Sequence, residues 1–230
     1  MIEEEQPKTE PPAEDPAPSS KDEDKKKRGS FWKELPILLG VAIVVALLVR
    51  TFVLQSFWIP SGSMEHTLDL QDRVLVNKLV YDFREPERGE VIVFTAPNDW
   101  RSDPNEEDFI KRVIGIGGDH IICCDNGKIT VNGVALDETE YLYTNDDGVQ
   151  DAPSANKFDI VVPEGRLWVM GDHRSASGDS RENFIRFESI ERSTIAVDAV
   201  IGKAFVIIWP LDRWRWLSIP GTFADVPGPT

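Results

Sequence analysis

The stretch DNGKITVNG, residues 125–133, predicts the fold of most of the chain. A short β-branched run, residues 128–131, lies between two steps, Asp125-Asn126-Gly127 and Asn132-Gly133, that favour tight hairpin turns. Because such turns join neighbouring strands that run in opposite directions, the stretch predicts antiparallel β-sheet.

Similar runs, rich in Val, Ile or Phe and bounded by Gly, Pro, Asn or Asp, occur on both sides of this stretch. They cover residues 73–77, 91–95, 109–116, 158–162, 166–170 and 199–209. No long helical periodicity appears among them. We therefore predict a mainly β, antiparallel domain over residues 56–230.

The first 34 residues are predicted to be a disordered acidic tail that ends in a basic cluster. Glu, Asp, Pro and Ser dominate residues 1–24, and such a segment buries too little apolar surface to offset the entropy of ordering. Lys25-Lys26-Lys27-Arg28 then reverses the sign of the charge. A basic collar of this kind predicts the cytoplasmic side of a membrane.

A single transmembrane helix is predicted over residues 35–55. The apolar run 37–54 contains one charge, Arg50, and would span about 27 Å as a helix. A cleaved signal peptide is the alternative, but the long acidic extension and the lack of a small-x-small cleavage site disfavour it. The domain that follows is then extracytoplasmic. Contact with the membrane interface, or alternatively core packing, is predicted for Trp209, Trp214 and Trp216.

Charge and cysteine content exclude several classes of function. A net charge of -15 argues against nucleic-acid binding, which needs a basic face to replace the phosphate counterions. Cys123 and Cys124 are expected as free thiols, because a disulfide between adjacent residues closes a strained ring. No zinc-ligand spacing is present, so we expect no metal.

Three polar segments are candidates for chemistry. Residues 60–64, PSGSM, form a small-residue turn that would hold a hydroxyl close to the membrane, or simply a flexible connector. Lys111 and Arg112 lie within an apolar strand, so one of them must face apolar surroundings, unless Lys111 guards an exposed edge. The loop 171–181, GDHRSASGDSR, suits an ion pair that fixes hydroxyl groups, or only a well-capped turn.

In this order, behind one predicted anchor, the three segments resemble the bacterial type I signal peptidase family, the serine/lysine-dyad peptidases that remove signal peptides from exported proteins. The similarity also includes residues 88–94, RGEVIVF, and 202–210, and covers most of residues 57–210. It implies an antiparallel β-sheet catalytic domain of signal-peptidase type, preceded by one N-terminal transmembrane helix. The resemblance implies no cofactor.

The resemblance also implies roles for individual residues. Ser63 matches the nucleophile and Lys111 the general base, while Ser61 matches a hydroxyl donor to the oxyanion hole beside the Ser63 main-chain N–H. Ser177 matches the serine that orients the lysine, and Asp179 and Arg181 match a supporting pair. For Lys111 to act as a base, burial must lower its pKa by about 2 to 3 units, since an ordinary lysine is protonated at neutral pH.

The implied substrates are preproteins with small residues one and three positions before the cut, as in Ala-x-Ala. Positions that match substrate-binding residues, each also an ordinary core residue by type, are Phe57, Ile59, Pro60, Met64, Leu68, Val74, Phe109 and Ile110. The peptide is expected to bind as an added strand along residues 59–61 and 109–111.

Some positions depart from the family pattern. His66 stands where many members have proline, and His173, Ser175-Ala176 and Gly117 also differ. A His-based mechanism is disfavoured, because no Asp partner for His66 is evident. Two other functions stay open: a catalytically inactive, membrane-tethered binding domain, and a Ser/Lys peptidase for another purpose, such as pilin maturation or one dedicated substrate.

Overall fold

The computed structural model describes the backbone of residues 21–229 and the side chains of residues 34–50, 53–124 and 126–229. It contains two compact units, one ending at Leu47 and one beginning at Leu48, which we describe separately. The tail predicted over residues 1–20 lies outside the described residues.

The N-terminal segment is helical. Helix α1, Lys21–Leu48, is followed by a π-helical turn, Val49–Val53. The helix thus includes residues 21–34, which the sequence assigns to the disordered tail, and this is possible because Lys and Glu have high helix propensity. Among the described residues, no helix combines the length and the hydropathy needed to cross a bilayer.

The unit that begins at Leu48 is built mainly from antiparallel strands, as predicted. Its strands are β1 Leu54–Trp58, β2 Arg73–Asn77, β3 Val91–Thr95, β4 Asp108–Ile116, β5 His120–Asp125, β6 Lys128–Val131, β7 Val134–Ala135, β8 Phe158–Val161, β9 Arg166–Met170, β10 Ile195–Ala196, β11 Val200–Trp209 and β12 Arg215–Trp216. Three short α-helices accompany them: α2 Val80–Phe83, α3 Ser180–Phe187 and α4 Ile190–Ser193.

The strands form two sheets in the described part of the chain. The larger sheet has the order β1-β2-β11-β3-β4-β9-β10, with β12 on β11, and the smaller has the order β7-β6-β5-β8. The two predicted hairpins are present in the smaller sheet. Asn126 and Gly127, and likewise Asn132 and Gly133, have positive φ angles, as type I′ turns require.

Strand β4 holds a central position in the larger sheet. It pairs with β3 from Asp108 to Arg112, and with β9 only from Arg112 onward. The segment from Asp108 to Lys111 therefore has one edge without a strand partner among the described residues. The buried residues of the larger sheet form apolar clusters on either side of this strand.

The expectation of free thiols is wrong. Cys123 and Cys124 are joined by a disulfide, and the peptide bond between them is cis. The expectation rested on the strain of the small ring that such a disulfide closes, and the two Cα atoms lie 3.0 Å apart.

Candidate active site

Ser63 and Lys111 meet at the junction of two elements. Ser63 lies in a 3-10 turn, Gly62–Met64, between β1 and β2, and Lys111 lies in β4. Lys111 Nζ is 2.8 Å from Ser63 Oγ, and the two residues are only 4% and 7% exposed. Residues 48 positions apart in the sequence are therefore placed in direct hydrogen-bond contact.

The surroundings of Lys111 favour the uncharged amine. Burial lowers the pKa of Lys111 to about 8, although the carboxylates of Asp179, Glu106 and Asp172 act in the opposite direction. The only other recorded hydrogen bond of Nζ within the described residues is donated to the main-chain oxygen of Ile110, at 3.0 Å. Desolvation therefore outweighs the attraction of the nearby carboxylates.

Ser61 lies at the exposed mouth of this pair. Its hydroxyl oxygen is 3.4 Å from Ser63 Oγ, so the two hydroxyls face the same space. The N–H of Ser63 makes no hydrogen bond within the 3-10 turn, because the first N–H that the turn engages is that of Glu65, which donates to the oxygen of Gly62. A main-chain donor and a side-chain hydroxyl thus lie beside one nucleophile candidate.

Asp179 and Arg181 form a buried ion pair at the end of the loop 171–181. Arg181 contacts both carboxylate oxygens of Asp179, at 3.0 and 2.7 Å, and Gly171 donates its N–H to the same carboxylate at 2.9 Å. Burial alone would raise the pKa of Asp179, but Arg181 and these donors hold it below its ordinary value. The carboxylate therefore stays ionised and also caps α3.

Ser177 is buried close to the nucleophile turn. Within the described residues its hydroxyl makes no hydrogen bond to Lys111, and its position beside Asp179 helps to lower the pKa of that carboxyl. A Cβ on Gly171 would overlap both Ser177 Oγ and the main-chain oxygen of Ser63. A glycine at position 171 is thus what allows the two serines to approach each other.

A second buried ion pair was not anticipated from the sequence. Arg112, next to Lys111, contacts both carboxylate oxygens of Asp172, at 2.9 and 2.6 Å. Thr67 donates to the same carboxylate, and the ring of Tyr141 lies 4.5 Å from the guanidinium carbon. Lys111 and Arg112 are both buried, on opposite faces of β4, whereas strand alternation alone required this of only one.

The predicted substrate-binding residues fall into three groups. Ile59, Met64, Leu68 and Val74 are fully buried in one apolar cluster, and Phe57 and Ile110 pack against it. Phe109 packs instead in the neighbouring cluster, against Phe94. Pro60 is exposed. Six of the eight residues therefore share one cluster beside Ser63.

The three histidines have separate surroundings. The ring of His66 contacts the main-chain oxygen of Glu140 at 3.3 Å, and His120 pairs with Asp159 at the surface. His173 lies against the nucleophile turn, where its Nδ1 is 2.9 Å from Glu65 Oε2. The structure thus places His66, the candidate considered from the sequence, in contact with a main-chain carbonyl.

Comparison with known proteins identifies the family to which the chain belongs. Residues 32–209 match the family model described as signal peptidase, peptidase S26. A probable signal peptidase I from Mycobacterium leprae is 35% identical over 82% of this chain and 80% of its own. The signal peptidase I of Mycobacterium tuberculosis H37Rv is also 35% identical, over 84% and 78%.

Other similar proteins also have names that identify them as signal peptidases. Signal peptidase IB of Staphylococcus aureus MRSA252 is 32% identical over 78% of this chain and 91% of its own. A solved signal peptidase I from Enterococcus faecalis V583 overlaps 52% of this chain and 97% of that chain, with 23% identity and a TM-score of 0.37, too limited an overlap to carry further argument. The family match and the curated relatives show that the chain belongs to the bacterial type I signal peptidases of family S26 and is a serine peptidase.

Proposed function

We propose that the chain cleaves signal peptides with Ser63 as nucleophile and uncharged Lys111 as general base. The observation that carries this proposal is the 2.8 Å contact between Lys111 Nζ and Ser63 Oγ inside a buried site. A serine hydroxyl is a weak nucleophile until a base accepts its proton. An amine with a pKa of about 8 is a suitable base near neutral pH.

The reaction proceeds in two stages. The Ser63 hydroxyl donates its proton to Lys111 Nζ as Oγ attacks the carbonyl carbon, and the resulting oxyanion accepts hydrogen bonds from the Ser63 N–H and the Ser61 hydroxyl. Lys111 then protonates the departing amine, which leaves an acyl-enzyme on Ser63. A water then gives a proton to Lys111 as it attacks the ester carbonyl, and Lys111 passes that proton to Ser63 Oγ as the bond to the carboxylic-acid product breaks.

The buried ion pairs act as supports for this dyad. Asp179 and Arg181 fix the loop that carries Ser177, whose buried hydroxyl is proposed to orient the amine of Lys111. Arg112 and Asp172 join β4 to the end of β9, which holds the backbone of Lys111 in place. These residues act through Lys111 and Ser63 and not on the substrate itself.

The substrate is proposed to be a preprotein whose signal peptide ends in Ala-x-Ala. The segment from Asp108 to Lys111 has an edge free of strand partners, so an extended peptide can add there through main-chain hydrogen bonds. Phe57 and Ile110, which are only partly buried and pack against the apolar cluster of Ile59, Met64 and Leu68, are then proposed to face the peptide residues that precede the cut. Because this cluster is already filled by its own side chains, it leaves room only for small residues.

A membrane anchor over residues 35–55 is proposed as part of the same function. The large apolar side chains of residues 37–48 are mostly more than half exposed, for example 68% for Ile37 and 57% for Leu47. Apolar exposure around a whole helix is costly in water and favourable in lipid. The basic cluster of residues 25–28 favours a cytoplasmic N-terminus and an extracytoplasmic peptidase domain.

Replacing either member of the dyad tests the mechanism. With a precursor that carries an Ala-x-Ala site, we expect Ser63→Ala to lower the cleavage rate by at least about 10³-fold, because no nucleophile remains. Lys111→Ala should lower it by about 10² to 10⁴-fold, because the base is lost. The exposed residues Ser102 and Lys157 provide matched controls, and their alanine variants should cleave like the wild type.

The same assay separates the alternatives. A precursor with leucine in place of the last alanine should be cleaved at least about tenfold more slowly, given a difference of about 1 to 3 kcal/mol per misfitted group. Full activity of a correctly folded Lys111→Ala variant would refute the dyad. No cleavage of any precursor by the wild type would favour a binding domain, and cleavage of a single client in cells would favour a dedicated peptidase.

The lowered pKa of Lys111 predicts the pH dependence of activity. Because the free amine is the active form, kcat/KM should rise about tenfold per pH unit below pH 8 and level off above it. The measurement is a rate profile from roughly pH 6 to 10 on a substrate without a titrating group.

Ser61→Ala should lower the whole profile by about 10² to 10³-fold without moving its midpoint. A profile that is flat below pH 8 would contradict the account.

Fractionation of cells that express the chain tests the anchor. The full-length chain should stay in the membrane fraction after an alkaline carbonate wash, and deletion of residues 35–55 should release it, because that segment provides the apolar span. Deletion of residues 1–20 serves as the control and should leave the protein in the membrane. Release of the full-length chain by carbonate would count against an anchor at this position.

A further inference from the structure

His173 lies directly against the nucleophile turn but has no part in the reaction described above. It follows β9, in the loop that also carries Ser177. Its side chain is largely buried, with 14% of its surface exposed, between the turn Gly62–Met64 and the ring of Tyr143. A largely buried imidazole is expected to satisfy its polar ring atoms with hydrogen bonds.

His173 makes hydrogen bonds to the main chain of the turn and to the Glu65 side chain. Its Nδ1 lies 3.1 Å from the main-chain oxygen of Gly62 and 2.9 Å from Glu65 Oε2. Both partners are acceptors, so Nδ1 must carry the hydrogen and donate it. The main-chain N–H of His173 also donates to the oxygen of Ser63, at 3.2 Å.

The hydrogen bond from His173 Nδ1 to the carbonyl of Gly62 acts on the proposed oxyanion hole. The C=O of Gly62 and the N–H of Ser63 belong to the same planar trans peptide unit, so the two groups point in opposite directions. The carbonyl also accepts the turn bond from the Glu65 N–H at 3.0 Å, so Nδ1 of His173 adds a second donor. By restraining the carbonyl further, it also restrains the direction of the Ser63 N–H. A hydrogen bond accepted by the carbonyl further polarises the N–H of that unit and makes it a better donor.

The imidazole is itself held in position from two sides. Its ring stacks on Tyr143 with 3.8 Å between the centroids and 20° between the planes. The Glu65 carboxylate occupies the space that a Cβ on Gly62 would need and holds the Nδ1–H from the other side. The ring therefore cannot turn away from the carbonyl of Gly62 without losing both contacts.

We propose that His173 is a positioning residue that aims the Ser63 N–H at the oxyanion of the scissile peptide, with Glu65 and Tyr143 fixing its ring. The inference rests on the proposed function, since it concerns the oxyanion of that reaction. His173 acts through the peptide unit between Gly62 and Ser63 and does not itself touch the substrate. Its effect therefore falls on the tetrahedral state and not on the bound ground state.

The test compares three histidine variants of the full-length chain. His173→Ala should lower kcat by about 10 to 100-fold with KM changed less than about twofold, because the N–H donor is retained but no longer aimed. His173→Asn keeps a side-chain N–H and should recover most of that loss. His120→Ala, at an exposed histidine, is the matched control and should behave like the wild type.

A peptide aldehyde provides the second readout, because its adduct with Ser63 has a tetrahedral oxyanion-like centre. Its affinity for His173→Ala should fall by about the same factor as kcat/KM, while the affinity for an uncleavable ground-state peptide stays unchanged. Should His173→Ala fail to fold, Glu65→Ala should show the same pattern more weakly, since the ring loses one of its two supports.

Several results would overturn the inference. They are an unchanged kcat in His173→Ala, a change confined to KM, equal losses for the aldehyde and the ground-state peptide, or no recovery in His173→Asn. Ser63→Ala distinguishes this failure from failure of the proposed function. If Ser63→Ala is inactive while His173→Ala cleaves normally, only the role of His173 is wrong, whereas an active Ser63→Ala variant refutes the proposed reaction itself.

Discussion

The desolvation of one amine is the constraint on which the proposed chemistry depends. Lys111 is buried beside Ser63, and burial lowers its pKa to about 8. Relative to a lysine with a pKa near 10.4 in the unfolded chain, this shift lowers the free energy of unfolding by about 3 kcal/mol while the lysine of the unfolded chain is protonated and the pH is below 8. Because the folded state binds the proton less tightly, the cost is full below pH 8 and disappears as the pH rises past the pKa of the unfolded chain.

The placement of the neighbouring ion pairs explains how the amine stays unpaired. The two nearby buried carboxylates, Asp172 and Asp179, each contact an arginine through both oxygens. Among the described residues, no carboxylate forms a salt bridge with Lys111, which would otherwise stabilise the ammonium form. Two adjacent basic residues of β4 thus meet opposite environments: Arg112 is paired and charged, whereas for Lys111 desolvation outweighs the attraction of the nearby carboxylates.

Local turn chemistry made much of the fold predictable, and long-range pairing did not. Bounds of β2, β3, β6 and β9 follow from the sequence because turn residues or breaks in the apolar runs delimit them. Helix α3 was missed because eight residues give too little periodicity. Of the site, the contact of Lys111 with Ser63 was expected from the family resemblance, whereas the pairs of Arg112 with Asp172 and of His173 with Glu65 join residues more than fifty positions apart, which spacing alone does not reveal.

Direct titration of Lys111 tests the central claim most closely. Lysine labelled with ¹³C at Cε would be followed by NMR from roughly pH 6 to 12, with the Lys111 signal assigned by its absence from Lys111→Arg. The account predicts a midpoint near pH 8 for this one lysine, well below the value of about 10.4 of a lysine in an unfolded chain. A midpoint for Lys111 near the unfolded-chain value of about 10.4 would mean that the amine is charged at neutral pH, and the proposed base would be contradicted.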